Sequence, residues 1–321
     1  MDTNFEKIKV MSDLIKKYEK VTVIGAGAMG ASWAALFLAN GLKVTVNDPR
    51  ADAEAATLEA VKSIAPTLSA LGYTVADLTR HLSFEPDLQA AVHLASLVQE
   101  NAPEDINFKQ DLYARMESFL HPSALVLSSS SSIPASVFTQ KMKNAARVLI
   151  GHPFNPPHLI PLVEVVPGKA TTREAIDEAM KFYAAIGKKP ILLEREVPGF
   201  VANRLQAALF RESVHLVASG VVSMDGLDQI VTSSIGLRWA AAGPFKTFTL
   251  GGGPGGFPHF LTHLGPGLER LWAVLGNPHL DPETTALLIG QAGNGHAAVP
   301  YEQMTAERDK QQLAIINALN K

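Results

Sequence analysis

The chain has 321 residues and a mass of 34.4 kDa, enough for two domains or for one domain with a helical appendage, and either can bury a full core. A net charge of −3 and a pI near 6.4 leave no basic footprint for nucleic acid. Cysteine is absent, which excludes disulfides, thiolate metal sites, cysteine nucleophiles and any dehydrogenase that works through a thiohemiacetal.

Residues 1–20 mix Asp, Glu and Lys with Phe5, Ile8, Met11, Leu14 and Ile15, a spacing that predicts a short amphipathic helix and lacks the apolar core of a signal peptide. No apolar run approaches the roughly 18 residues of a membrane span, so the expectation is a soluble, cytoplasmic protein. Val21-Thr22-Val23-Ile24 predicts a strand, residues 31–40 a helix stopped by Gly41, and Lys43-Val44-Thr45-Val46-Asn47 a second strand. Residues 51–72 read as a long helix, 87–95 as a further alanine-rich stretch, 94–98 as a strand, 108–120 as a helix and 124–127 as a buried strand before a run of serines. Residues 148–150 and 162–166 supply two more strands, 174–186 a helix and 191–193 a last strand. Strands alternating with helices in this way indicate an α/β fold with a doubly wound, Rossmann-type sheet.

The pattern changes near Val197-Pro198-Gly199. Residues 201–219 have a helical period, residues 250–267 are rich in Gly and Pro and read as a loop or short helical turns, and residues 305–319 read as a closing helix. The expected organisation is a cofactor-binding domain at 1–197 and an all-helical C-terminal domain at 198–321 that binds substrate and dimerises.

Gly25-Ala26-Gly27-Ala28-Met29-Gly30 sits where a strand gives way to a helix, the context that a G-x-G-x-x-G dinucleotide fingerprint requires. Gly25 permits the tight turn, Gly27 the approach of a pyrophosphate and Gly30 close packing of helix on strand. Asp48 ends the second strand 18 residues beyond Gly30, near the spacing of a carboxylate that binds ribose hydroxyls and repels a 2′-phosphate. NAD is therefore expected in preference to NADP, with Arg50 as the residue that tempers the preference. The competing reading is a plain glycine turn with Asp48 as a helix cap.

Gly151-His152-Pro153-Phe154-Asn155-Pro156, followed by Leu162-Val163-Glu164-Val165-Val166, places a histidine and a glutamate 12 positions apart. Histidine can take a proton from a hydroxyl while a carboxylate holds the ring and stabilises its charged form. Read without that partner, His152 is a half-buried strand cap.

These segments resemble the L-3-hydroxyacyl-CoA dehydrogenase superfamily over nearly the whole chain. The motifs that carry the resemblance are Gly25 to Gly30, Glu104-Asp105-Ile106-Asn107-Phe108-Lys109, the serines from Ser128 to Ser132, the His152 box, the Glu164 strand and Pro198-Gly199-Phe200-Val201-Ala202-Asn203-Arg204. The family's usual Asn-Thr-Ser-Ser is replaced here by Ser129-Ser130-Ser131-Ser132, and its functional serine falls on Ser131, with Ser130 and Ser132 as neighbouring alternatives. The resemblance implies NAD as cofactor and no metal, His152 as general base, Glu164 as its support, and Ser131 and Asn203 as hydrogen-bonding groups around the reacting oxygen or the nicotinamide. It further implies contacts from Glu104 and Lys109 near the nicotinamide ribose and from Asn155 at the nicotinamide end. Otherwise Glu104 and Lys109 are a solvated helix pair, Asn155 a turn residue and the serines a flexible loop.

The implied reaction is oxidation of a small L-3-hydroxy acid to its 3-oxo acid by a homodimer. The helix at 51–72 carries a single lysine, Lys62, which disfavours a CoA thioester whose phosphates need cationic partners. The segment with Arg238, Trp239, Phe245 and Phe248 most resembles the carnitine dehydrogenase branch: the aromatics offer faces to a trimethylammonium group and Arg238 a partner to a carboxylate. The alternatives are helix packing for the aromatics, an L-gulonate or 3-hydroxybutyryl-CoA substrate, and, in a different class, a non-catalytic NAD-binding protein like the crystallin relatives.

Overall fold

The structure is a computed structural model that describes residues 15–294 and 299–319. It divides into two compact units, Met1–Val201 and Ala202–Lys321. Among the described residues no helix is long and apolar enough to cross a membrane. The helix expected at 1–20 lies largely outside the described residues, of which residues 15–17 are helical.

The first unit is built on β1 (Lys20–Ile24), α1 (Ala28–Ala39), β2 (Lys43–Asn47), α2 (Ala53–Ala70), β3 (Leu82–Phe84), α3 (Leu88–His93), β4 (Leu97–Glu100), α4 (Ile106–Glu117), β5 (Leu125–Ser128), α5 (Ala135–Phe138), β6 (Val148–Pro153), β7 (Leu162–Pro167), α6 (Arg173–Ala185) and β8 (Lys189–Leu192). Its eight strands form one sheet in the order β3-β2-β1-β4-β5-β6-β7-β8, parallel at every junction except β6–β7. The order reverses between β1 and β4, the switch point at which open α/β sheets bind ligands. Buried strand residues such as Val21, Val23, Leu97, Leu125 and Leu149 pack against Trp33, Phe37, Phe182 and Tyr183 on one side of the core. α1 is buried along residues 30–38, which is why its sequence is apolar all round.

Three expectations need correction in detail. β3 went unseen because it is a three-residue strand, Leu-Ser-Phe, with no β-branched residue to mark it. The strand expected at 94–98 lies at Leu97–Glu100, since Leu94 is exposed and the polar Gln99 and Glu100 are fully buried in the ladder. The third lies in the second unit.

That unit holds α7 (Ala202–Ala218), α8 (Met224–Ser233), α9 (Ile235–Ala241), α10 (Pro244–Gly251), α11 (Gly256–Trp272), α12 (Pro282–Asn294) and α13 (Tyr301–Leu319), with no strand among the described residues. The stretch at 250–267, read as loop or short turns, is mostly the 17-residue helix α11. Phe257, Phe260, Leu261, Leu264, Leu268 and Leu271 repeat at helical spacing, and that amphipathic period outweighs the low propensity of its glycines and of Pro266 inside it. Among the described residues, Val214, Val217 and Phe260 are the buried apolar side chains of this unit.

Candidate active site

At the carboxyl end of β1, Gly25 adopts φ +87°, and a Cβ there would stand 2.7 Å from the Asn101 carbonyl oxygen. A Cβ on Gly30 would lie 1.8 Å from the Gly25 oxygen, whereas one on Gly27 would meet nothing within 4 Å. Two of the three glycines are thus required by the protein's own packing, and the third borders open space. Ala26, Ala28 and Met29 complete the turn, and α1 starts at Ala28 with Gly27 as its N-cap and no side-chain cap. Its first-turn N–H groups and positive dipole end suit a pyrophosphate.

Asp48 directly follows β2 beside this turn. Its Oδ2 accepts from the Ala26 N–H at 2.7 Å and its Oδ1 from the Arg50 N–H at 2.9 Å and Nε at 3.2 Å, while Arg50 also donates to the Ala26 carbonyl. Burial alone would raise the Asp48 carboxyl, but the Ala26 and Arg50 donors outweigh it and hold the group below its ordinary value. A groove of about 660 Å³ opens here, lined by Gly25, Gly27, Asp48, Arg50, Asn101 and Phe108 among others. The shape, the open face of Gly27 and the ionised Asp48 fit an adenosine diphosphate moiety.

The serine run is a bonded loop at the end of β5. Ser128 Oγ donates to Glu100, and Ser129 Oγ donates to Asn101 while accepting from Gln99 and from Trp33 Nε1. Glu104 Oε1 accepts from Ser130 Oγ, from the N–H groups of Ser131, Ser132 and Ile133, and from Ser132 Oγ. Burial would raise the Glu104 carboxyl, but the Ser130 hydroxyl, the Ser132 N–H and the Lys109 charge bring it below its ordinary value. Of the three candidate serines, Ser130 is buried, Ser131 half-buried and Ser132 exposed.

Lys109 is not the solvated partner of Glu104 that helix spacing suggests. Its side chain is 1% exposed, and Nζ lies 2.6 Å from Glu100 Oε1 and 3.8 Å from Glu104 Oε2. Glu100 is buried completely and also accepts from Tyr113 and from the Ala102 N–H, so every charge in this cluster is met. Lys109 supports Glu104 from behind. Glu100 and the Gln99-Glu100-Asn101 string were missed by sequence reading; three consecutive polar residues closing an apolar strand are the signal that marks them.

His152 lies within β6 and stands opposite Glu164 of β7 in the antiparallel ladder. Nδ1 lies 2.8 Å from Glu164 Oε2, with His152 5% and Glu164 2% exposed. The second carboxylate oxygen accepts from the Val201 N–H at 3.0 Å. The imidazole rests between Phe154 and Phe200, with ring centroids 5.1 and 5.3 Å away. Phe200 is fully buried at φ +49°, a conformation unfavourable for an aromatic residue, right after Gly199 at φ +74°. Sequence reading assigned neither phenylalanine to the site. With Nδ1 committed to Glu164, Nε2 is the atom that can exchange a proton.

Asn155 is exposed at the turn that follows β6. Asn203 lies in the first turn of α7, in the second unit. There Arg238 and Trp239 share α9, while Phe248 stacks on Phe260 with centroids 4.7 Å apart and Phe245 meets Phe257 edge-on at 5.9 Å. Phe245 and Phe248 therefore pack α10 against α11 whatever else they touch. Among the described residues no group of three or more His, Asp or Glu is placed to hold a metal ion.

The family model described as 3-hydroxyacyl-CoA dehydrogenase, NAD binding domain, matches residues 20–197, and that for the C-terminal domain of the same family matches residues 199–273. An L-carnitine dehydrogenase from Streptomyces coelicolor is 41% identical over 299 residues, covering 93% of this chain and 94% of the relative. A 3-hydroxyacyl-CoA dehydrogenase from Gibberella moniliformis is 41% identical over 313 residues, covering 96% of this chain and 97% of the relative. Among solved structures, that of 5-formyl-3-hydroxy-2-methylpyridine 4-carboxylic acid 5-dehydrogenase, an NAD+-dependent dismutase, is 28% identical with a TM-score of 0.81, covering 94% of this chain and 98% of the other.

Proposed function

The chain belongs to the 3-hydroxyacyl-CoA dehydrogenase family, a family of NAD-dependent oxidoreductases acting on CH–OH groups, and on that premise we propose that it oxidises a small L-3-hydroxy acid, with L-carnitine favoured, as a cytoplasmic homodimer. The buried His152–Glu164 pair at 2.8 Å carries this reading. NAD, when bound, would supply the acceptor for the hydride of the carbinol carbon. His152 Nε2 takes the hydroxyl proton, Glu164 holds the ring through Nδ1 and offsets the charge that develops, and Phe154 and Phe200 keep water from the imidazole. Gly25 to Gly30 and Asp48 hold the adenosine end, Glu104 sets the serine loop, and Ser131, Asn155 and Asn203 supply hydrogen bonds at the nicotinamide and the reacting oxygen.

A free acid is preferred to a CoA thioester because α2 offers Lys62 as its one basic side chain. Arg238 provides a carboxylate partner, and Trp239, with the outer faces of Phe245 and Phe248, a surface for a quaternary ammonium worth about 0.5–2 kcal/mol. The Gibberella relative keeps the CoA thioester as the second reading. A purely NAD-binding, non-catalytic role is disfavoured by a buried acid/base pair that binding alone does not need.

The test is NADH formation from NAD+ with L-carnitine, L-gulonate, L-3-hydroxybutyrate and L-3-hydroxybutyryl-CoA supplied separately. L-Carnitine is expected to give the highest kcat/KM. His152→Gln should lower kcat by about 10²–10⁴-fold with NADH binding retained. Turnover unchanged in His152→Gln sinks the assignment of the base, and a preference for the thioester sinks the free-acid reading.

A further inference from the structure

The eight residues at 154–161 join the strand of His152 to that of Glu164. They contain no helix or strand, and three of them are proline, so few of their own N–H groups can satisfy the loop's carbonyls. Two side chains from elsewhere in the first unit bind the loop, Lys188 at its carbonyls and Ser32 at the His158 N–H and ring. Lys188, between α6 and β8 and 7% exposed, donates from Nζ to the Pro157 carbonyl at 2.5 Å and to that of Ile160. Its backbone is fixed by a bond from its N–H to the Tyr183 carbonyl, and no ion pair reaches it among the described residues. Ser32, 2% exposed on α1, accepts from the His158 N–H at 2.9 Å and meets the His158 ring Nδ1 at 2.8 Å.

A buried lysine without a carboxylate is costly to keep, and a histidine and a serine both nine-tenths buried need partners of their own. Lys188 and Ser32 find their partners in this one loop, and His158 finds its own in Ser32. The next residue of α1, Trp33, has its ring 5.7 Å from Lys188 Nζ and donates from Nε1 to Ser129 of the serine loop. One connected set of bonds thus runs from the dinucleotide helix, through the loop, to both strands of the acid/base pair.

We propose that Lys188 and Ser32 are positioning residues for the reaction, holding the 154–161 loop so that the His152 imidazole keeps a fixed place relative to the cofactor helix. The functional half of this statement rests on His152 being the proton acceptor; the positional half does not. A misplacement of about 1 Å is enough to cost roughly 10²-fold in rate, so the loss should fall on kcat.

The experiment uses the full chain, labelled with ¹⁵N-histidine, with the ring resonances of His152 and His158 assigned through His152→Gln and His158→Gln. Lys188→Met and Ser32→Ala should each displace the His152 ring signals as well as those of His158. With whichever acid the wild type turns over, each should lower kcat by about 10–100-fold and leave NADH affinity within about twofold. Should Lys188→Met fail to fold, Ser32→Ala carries the same readout. Movement of His158 alone, or losses of NADH affinity and thermal stability in step with kcat, would show a merely structural clamp and overturn the proposal. If the wild type oxidises none of the acids while His152 still moves, the substrate reading falls and the positioning role stands.

Discussion

Lys188 is held well below the ordinary lysine value of 10.5, at about 7, by burial alone. Between those limits the unfolded chain keeps a proton that the folded chain has released, so stability rises with pH across the window. Below about pH 7 both states are protonated and the fold bears the whole desolvation cost; above 10.5 both are neutral and it bears none. Lys188→Met removes this dependence and leaves two carbonyls poorly satisfied at every pH. The wild-type-minus-variant stability should therefore climb by up to about 1.4 kcal/mol per pH unit from pH 7 upward, read by urea unfolding at about pH 7 and about pH 9.5. A flat difference would mean that the amine titrates as in water. Nothing in Gly187-Lys188-Lys189-Pro190 announces this residue, because two adjacent lysines read as a solvated face. His152 and Glu164 are legible for the opposite reason: each is the one titratable group in an apolar run, and only the antiparallel pairing that sets them opposite lies beyond local pattern.

The strand–turn–helix at Gly25 is the element where sequence and packing agree most closely, and its glycines separate two kinds of requirement. Gly30→Ala would drive a methyl against the Gly25 carbonyl oxygen, which is backbone and cannot yield, so β1 and α1 must part. The expected cost is about 1–3 kcal/mol of stability together with loss of NADH binding. Gly27→Ala adds a methyl where nothing stands within 4 Å and should leave thermal unfolding unchanged while weakening NADH binding. Equal effects of the two on stability would contradict this division; thermal melts and NADH fluorescence titration decide it. Legibility declines where an element is short or its composition atypical. β3 offers three residues of pattern, and α11 hides a sound apolar period among glycines and prolines. The polar end of β4 is lost because burial of Glu100 depends on Lys109, Tyr113 and Ser128, and burial of Gln99 on Ser129 and Tyr183, all of which arrive from other parts of the chain.

At the scale of the whole molecule, the two units differ in how much apolar surface they leave to water. The first encloses the proposed cofactor groove within its own residues, whereas the second exposes Phe210, Leu237, Leu264, Leu271 and Trp272, each at 52% or more. So many large apolar side chains are seldom left bare on one unit, and a second copy of the same helical unit is the partner that the proposed homodimer supplies. Sedimentation at about micromolar concentration should then give twice the chain mass of 34.4 kDa, and the paired change Phe210→Glu with Trp272→Glu should give the single-chain mass. NADH affinity should survive in that variant, because Gly25, Gly27 and Asp48 all belong to the first unit. A wild type that sediments as one chain would refute the dimer. A variant that loses NADH binding together with its partner would instead show that the cofactor groove depends on assembly.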